Sequence, residues 1–558
     1  MPVEAEAIEY TTVTVGIACL VQQVLQRLEI VAIIDRVLRF QPEVPTTYGT
    51  LAQVIILNRM SLDPRPLYEL GDWASEHGIA RLLDIEAAWL DDDRLGALLD
   101  GIADHQVTIW SAVLANALKY YPIDREELHA DTTSVYFEGS YQEKDGTPKG
   151  GGVRSPHLLK GYNKDGKRHK LQMVLSLITS GHTPLWFCPR NGNQSDNGVY
   201  VPDMTALRRT LLVPENALLI GDRKLATEAN MLAFCRQRQF FLAPHPWTPT
   251  AKEEWRKTAA RIAAGELAWR PVAYERRKDA GKPVEQRPVY QVLEQERDLR
   301  DAERGERYPL RWVWVWSSGH AERDLAGREK ALAAGEQQLQ RIAGLLGKYD
   351  YKRAGLIEGR IEQALRRAHA QKYYTYTLTG SEAKQDWQLS WEPQAAAIAE
   401  EALFDGVSLL VTNASAQRLA TESAFLRYKE QSGVEQTIDF IKSPVEIRPM
   451  WLHKPQRLAS LTLLIMIAVL IAGLIEHEVR RWIAQTGCWL KGLMPEGRDN
   501  PYPTARKLLR VFADYTLVSV RCGAEPAVLH YPKLRPVQQQ IWDILKLPPL
   551  PAQTPCSG

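Results

Sequence analysis

At 558 residues the chain is too long for one ordinary core, and two to four domains are expected. Its 45% hydrophobic and 24% charged residues are those of a soluble globular protein. Its six scattered cysteines form no CxxC pair, which argues against a disulfide scaffold or a thiolate metal site and suits a reducing cytoplasm. The formal net charge of +2 hides an asymmetry: residues 1–124 carry 8 Lys+Arg against 18 Asp+Glu, leaving 61 against 49 for the rest. A basic remainder behind an acidic head points to a polyanionic partner. The acidic start MPVEAEAIEY does not read as a signal peptide.

Residues 1–124 read as a helical domain, with apolar residues recurring at three- and four-residue spacing and breakers such as QPEVPTTYG between segments. Asp91 to Asp93 before a leucine stripe read as a helix cap. Residues 125–244 alternate strand-like and helix-like runs (LHADTTSVYF, LQMVLSLITSG, TPLWFCPR, NALLIGD, FFLAP), the pattern of a mixed α/β sheet. Residues 245–404 interrupt that pattern with aromatic strands and two long helices, so an inserted β-strand and helical-hairpin subdomain is expected. In it Trp312, Trp314 and Trp316 alternate along one strand and are expected to fill a small core, the alternative being a stack on an unpaired base. The α/β pattern resumes over 405–545, including one long predicted helix from ATESAFLRYK through DFIKS, and 546–558 read as a Pro-rich disordered tail. The uncharged run 458–475 has the length of a membrane span, but a buried central helix fits a chain otherwise rich in charge.

Three acids stand out. Asp131 lies in the middle of a strand, where a carboxylate is costly without compensation. Asp222 ends the buried-looking run ALLIGD, and chemistry gathers at strand ends. Glu435 lies on the long predicted helix with Tyr428, Gln431 and Lys442, all within roughly 60° around the axis. Three carboxylates brought together repel unless a cation holds them, and an all-oxygen set selects Mg²⁺ or Mn²⁺. Two such ions could serve phosphodiester chemistry. Taken singly, each acid has a plainer reading: Asp222 as a cap or partner of a base, Asp131 bonded to Thr132 or Thr133, Glu435 as a surface residue with Asp439 its rival. The segment 149–170 carries seven basic residues, among them Lys160, Lys164, Lys167 and Arg168, against one acid, and suits contact with a nucleic-acid backbone as well as a solvated loop.

Together these motifs resemble bacterial insertion-sequence DDE transposases of the cut-and-paste group. That group carries an insertion between its second and third acids and a signature spaced Tyr, Arg, Glu, Lys. Tyr428, Gln431, Glu435 and Lys442 reproduce that spacing, and ADTTS, GYNKDGKRHKLQ, GNQSD and IGDRKLA fall in the expected order. One position departs: Gln431 stands where the group has arginine, so Lys429 or Arg427 would have to supply the charge. The resemblance implies an RNase H-like mixed-sheet catalytic core with a helical N-terminal domain and the inserted subdomain. It also implies metal ligation by Asp131, Asp222 and Glu435, and DNA contact by Tyr428 and Lys442, with Gln431 donating an uncharged amide to a phosphate. Two Mg²⁺ (or Mn²⁺) ions, terminal inverted repeats and target DNA as partners, and a homodimer holding two ends follow from the same resemblance, with no membrane association and a cytoplasmic location. A catalytically impaired DNA-binding relic is the alternative that Gln431 raises.

Overall fold

The computed structural model describes residues 8–39, 45–137, 156–162, 166, 169–276, 279, 281–442, 454–494, 500–522 and 528–551. Chain order begins with strand β1 (Ile8–Thr14) and seven helices: α1 (Ala18–Arg27), α2 (Ile30–Leu38), α3 (Tyr48–Met60), α4 (Leu70–Glu76), α5 (Ile79–Leu82), α6 (Asp92–Ala103) and α7 (Gln106–Tyr120). Then come β2 (Glu127–Tyr136), β3 (Gln172–Ser180), β4 (Thr183–Arg190), α8 (Tyr200–Arg209), β5 (Leu218–Gly221), α9 (Glu228–Arg236), β6 (Phe240–Pro244), α10 (Pro249–Ala263) and β7 (Arg270–Val272). Strands β8 (Tyr290–Asp301) and β9 (Glu306–Ser317) precede α11 (Ser318–Ala343), α12 (Ala354–Arg367), β10 (Tyr374–Thr379), β11 (Gln388–Pro393), α13 (Ala395–Ala402), β12 (Val407–Thr412) and α14 (Thr421–Lys429). The chain closes with α15 (Ser432–Lys442), α16 (Pro455–Thr486), α17 (Ala505–Arg510), β13 (Thr516–Cys522), β14 (Val528–His530) and α18 (Pro536–Ile544). Two compact units result, one of residues 1–239 with 430–558 and one of 240–429.

In the first unit the strand order is β4-β3-β2-β5, with β2, β3 and β4 antiparallel and β5 parallel to β2. Strand β3 is buried along its whole length, as its unbroken apolar and small residues require. The 458–475 run lies in α16, whose most apolar 18-residue window is wholly buried at a mean hydropathy of 2.8. That helix is long and apolar enough to cross a membrane, yet here it packs on β4 and against α3, α6 and α7. Each fully enclosed Leu or Ile on it contributes roughly 1.5–3 kcal/mol of burial. Asp91 caps α6 as expected, accepting from the Arg94 backbone N–H at 2.9 Å.

Three expectations change within this unit. Residues 1–124 are not all helix: β1 pairs with β13 and joins a three-stranded sheet with β14, a pairing of segments about five hundred residues apart that only the β-branched run YTTVT hints at. The long predicted helix is two helices, α15 here and α14 in the second unit, with a turn at Glu430 and Gln431 between them. Gly433 explains the second start: a Cβ there would sit 2.7 Å from the Gly181 carbonyl oxygen, so only glycine lets α15 approach the β3–β4 turn this closely. The start of the expected tail is tied down, with Leu547 buried and the Pro548 carbonyl accepting from the Trp542 indole at 2.8 Å, although its neighbours up to 551 are largely exposed; 552–558 lie outside the described residues.

In the second unit the strand order is β6-β12-β9-β8-β7, all antiparallel, with β8 and β9 paired over their full length. Trp312 and Trp314 are buried, and the Trp314 ring packs against Trp247, Trp255 and Trp312, so the core expectation holds for these two; Trp316 is only half-buried. Helices α11 and α12 form a hairpin whose apolar seam of Leu339, Ile342, Ile357, Ile361 and Leu365 packs beneath the β10–β11 ribbon. Buried Arg311 on β9 donates to both oxygens of Glu294 on β8, at 2.9 and 2.5 Å, and to the carbonyls of Ala414 and Leu419 at 3.0 and 2.7 Å.

Candidate active site

Parallel pairing of β2 with β5 sets Ala130 against Gly221, so Asp131 and Asp222 follow at the same level where β5 ends. This resolves the carboxylate in mid-strand. On one side Asp131 is still paired, opposite Leu177 of β3; on the other its neighbour strand has stopped. Asp131 is half-buried and accepts from the Thr132 N–H at 2.7 Å. Asp222 accepts from the Lys224 N–H at 2.8 Å and from the Tyr200 phenol at 2.5 Å. Asp222 thus closes a turn and caps no helix, since α9 is capped by Thr227, and its other partner is a buried tyrosine. Burial, followed by the charges of Asp222, Asp131 and Asp196, drives the Tyr200 phenol far above the ordinary tyrosine range, so it stays a donor.

Asp196 is a fourth acid at this place, and the sequence reading did not select it. It begins the turn before α8 and accepts from the Thr132 hydroxyl at 2.9 Å. Its signal was the spacing: Asp196 and Tyr200 lie four residues apart across a helix start.

Helix α15 packs on β2 and β3 and presents Glu435 in its first turn. The Thr437 hydroxyl donates to the His182 carbonyl at 3.3 Å, pinning the helix to the β3–β4 turn. In α16, Gly473 permits the same approach from the other side, since a Cβ there would lie 2.6 Å from that carbonyl oxygen. Partial burial, then the charges of Asp131 and Asp439, hold the Glu435 carboxyl above the usual range. The rival acid Asp439 lines a cavity of about 500 Å³ together with Lys442, His182, Glu476 and Arg506. Its wall is fixed by buried Glu476, which accepts from Arg480 at 2.6 Å and from the Ala505 N–H at 2.6 Å.

A family model described as "Transposase DDE domain" matches residues 126–471, and a "Domain of unknown function (DUF4277)" matches residues 10–115. The chain belongs to the transposase DDE domain family. Among solved structures, the DDE chain is similar to a piggyBac transposase synaptic complex with hairpin DNA (9% identity, 97% of this chain and 87% of that one, TM-score 0.39). It is also similar to a Mos1 strand transfer complex (14% identity, 40% and 67%, TM-score 0.15) and a pre-cleavage Mos1 transpososome (13% identity, 40% and 68%, TM-score 0.15). No curated protein matches it.

Asp131, Asp222 and Glu435 do not form a closed metal clamp as they stand. Among the described residues no three His, Cys, Asp or Glu side chains lie close enough to hold an ion. Asp131 and Asp222 each take backbone or phenol donors. The donor chemistry nevertheless fits a hard divalent cation, since the set is all oxygen and the ionisation of Glu435 is opposed by Asp131.

The remaining expected contacts divide. Lys442 ends α15 and lines the cavity; Gln431 sits in the turn before α15; Tyr428 ends α14 in the second unit, with the Lys429 ammonium 5.7 Å from its ring centre. The four signature residues thus do not share one helix face, because the break falls between the first and the third. Lys160 is exposed; Lys164, Lys167 and Arg168 lie outside the described residues.

The raised Glu435 carboxyl carries a stability prediction. An acid that holds its proton more tightly when folded contributes fully below about pH 4.3, and that contribution is lost as pH rises through its folded value. Glu435→Gln is therefore expected to stabilise the metal-free protein at neutral pH by a few tenths of a kcal/mol after solvent screening, with no gain near pH 4. Melting curves with and without MgCl₂ check this. Magnesium should raise the wild-type midpoint more than the variant's, and an equal response would refute the repulsion.

Proposed function

We propose that this chain is the transposase of a bacterial insertion sequence, cutting DNA at the element's terminal inverted repeats and joining the freed 3′ ends to target DNA. The observation that carries the reading is that Asp131 in mid-β2 and Asp222 just past the end of β5 lie side by side, with Glu435 presented by a helix packed on β2. Asp131, Asp222 and Glu435 would hold two Mg²⁺ or Mn²⁺ ions. Bound divalent ions supply the positive charge that activates an attacking oxygen and steadies a leaving one. Tyr200 keeps its proton and orients Asp222, and Thr132 orients Asp196. Lys442, Gln431, Tyr428, Lys160, Lys164, Lys167 and Arg168 would bear on backbone phosphates. Two copies would hold the two ends, and the protein would work in the cytoplasm, on the nucleoid.

A second reading, a DNA-binding relic that regulates transposition, is favoured only by Gln431, which carries no charge. Purified protein with Mg²⁺ and a fragment bearing the element's own terminal repeats separates the two. Strand nicking at the repeat ends is expected. Retention of the fragment without nicking would establish the relic, and neither retention nor nicking would sink both.

A further inference from the structure

A second cavity, of about 680 Å³, opens within the 240–429 unit between the segment following β7 and the first turn of α11. Its titratable lining is Arg276, Lys282, Arg287 and Arg323 against Glu285 and Glu322. Three of the cations are held in position from behind. Asp279 pairs with Arg276 and, at 3.0 Å, with Lys282, and Glu275 pairs with Arg287 at 2.7 Å. The Arg323 side chain is steadied by its Nε donating to the Gly319 carbonyl at 3.1 Å. Ser318 and Gly319 bring to the wall the start of a 26-residue helix that no side chain caps, so the positive end of its dipole adds to the field.

Two neighbours report that field. Burial, then the Arg276 and Arg323 guanidinium groups, hold the Lys429 ammonium below the usual lysine range. Burial, then Arg323, Lys429 and Arg276, lower His320, with only Asp324 acting against them. Neighbouring cations still repel one another here, and a further anion placed among them would relieve that repulsion.

We propose that this cavity is a docking site for the phosphodiester backbone of DNA, built by Arg276, Lys282, Arg287 and Arg323. The occupant is a strand and not a free ion, because the space far exceeds what one phosphate needs and its cations are spread around an open rim. Arginine forks suit diester oxygens, two parallel N–H donors to each. The site rests on the DNA-acting reading above. It adds a grip in the inserted unit, adjoining the chain segment that runs into Glu435 six residues after Lys429.

The test is binding of the full chain to a labelled short duplex, followed from about 50 to about 200 mM salt. Lys282 and Arg323 are exposed, so Lys282→Gln with Arg323→Gln should fold normally, and matched melting curves verify that. The pair is expected to bind about tenfold more weakly, with a salt slope lower by about 2. Lys257→Gln with Arg261→Gln, an equal charge loss on α10, should stay within about twofold, and Arg323→Lys, which keeps the charge but not the fork, should bind between the wild type and Arg323→Gln. If the two double variants behave alike, the site is overturned while the function reading stands. If the wild type holds no duplex at any salt, the function reading falls and this site with it. Inorganic phosphate displacing the duplex better than KCl of equal ionic strength would mark a free-phosphate site and refute the strand.

Discussion

Asp131→Ala, Asp222→Ala and Glu435→Gln are each expected to lower strand nicking on the order of a thousandfold or more, about 4 kcal/mol of transition-state stabilisation, while duplex binding survives. Each removes a negative charge from a place where negative charge is already concentrated; alanine offers a divalent cation no donor, and the glutamine amide offers only a neutral oxygen. The losses should not add, because the three are proposed to act as one device. Tyr200→Phe should cost less, about 10- to 100-fold, since it strips a donor from Asp222 without touching the ligand itself. Nicking of an end fragment on a denaturing gel, with retention measured beside it, gives both readouts. An active Glu435→Gln enzyme alongside a dead Asp439→Asn would move the third acid one turn along α15, and loss of retention in all three variants would mean that the substitutions damage the fold.

Arg311→Ala carries the largest expected effect on stability, roughly 3–5 kcal/mol for the 240–429 unit, because it leaves a half-buried carboxylate without its partner. The bidentate Arg311 bond is the first cause of the low Glu294 carboxyl, so removing the arginine leaves burial to push that carboxyl back up. The same guanidinium holds the carbonyls of Ala414 and Leu419, and Thr421 at the start of α14 donates to Glu294. Arg311→Met with Glu294→Leu should therefore recover only part of the loss: it removes the stranded charge but leaves two carbonyls unmet. Proteolysis within 405–429 at rising temperature measures it. Full recovery in the double variant would show that the carbonyl bonds contribute little.

Strand-period signals placed β2, β3, β4, β5 and β6 well, because buried strands announce themselves in apolar runs flanked by turn residues. Asp131 was legible for the opposite reason: it violates such a run. What local pattern could not show is where a distant backbone presses. Apolar periodicity continues across Glu430 and Gln431, so one helix is expected; the close approach of Gly433 to Gly181, some 250 residues earlier in the chain, leaves no local signal. Asp196 and Tyr200 escaped notice because their importance depends on Thr132 and Asp222 across the fold. Strand β1 was missed in a stretch that otherwise reads as helix, since its partner β13 lies at the far end of the chain.

The excursion of the chain out of its first unit at residue 239 and back at 430 has a consequence for synthesis on the ribosome. When Asp131 and Asp222 have emerged, about half the polypeptide is still unmade, including Glu435 and the apolar helix that covers β4. An unfinished chain thus carries two of the three proposed acids on a sheet with a bare greasy face, a species suited to chaperone capture and unable to cut. Nuclease competence would arrive only with the last third of translation, after the whole inserted unit has had time to fold.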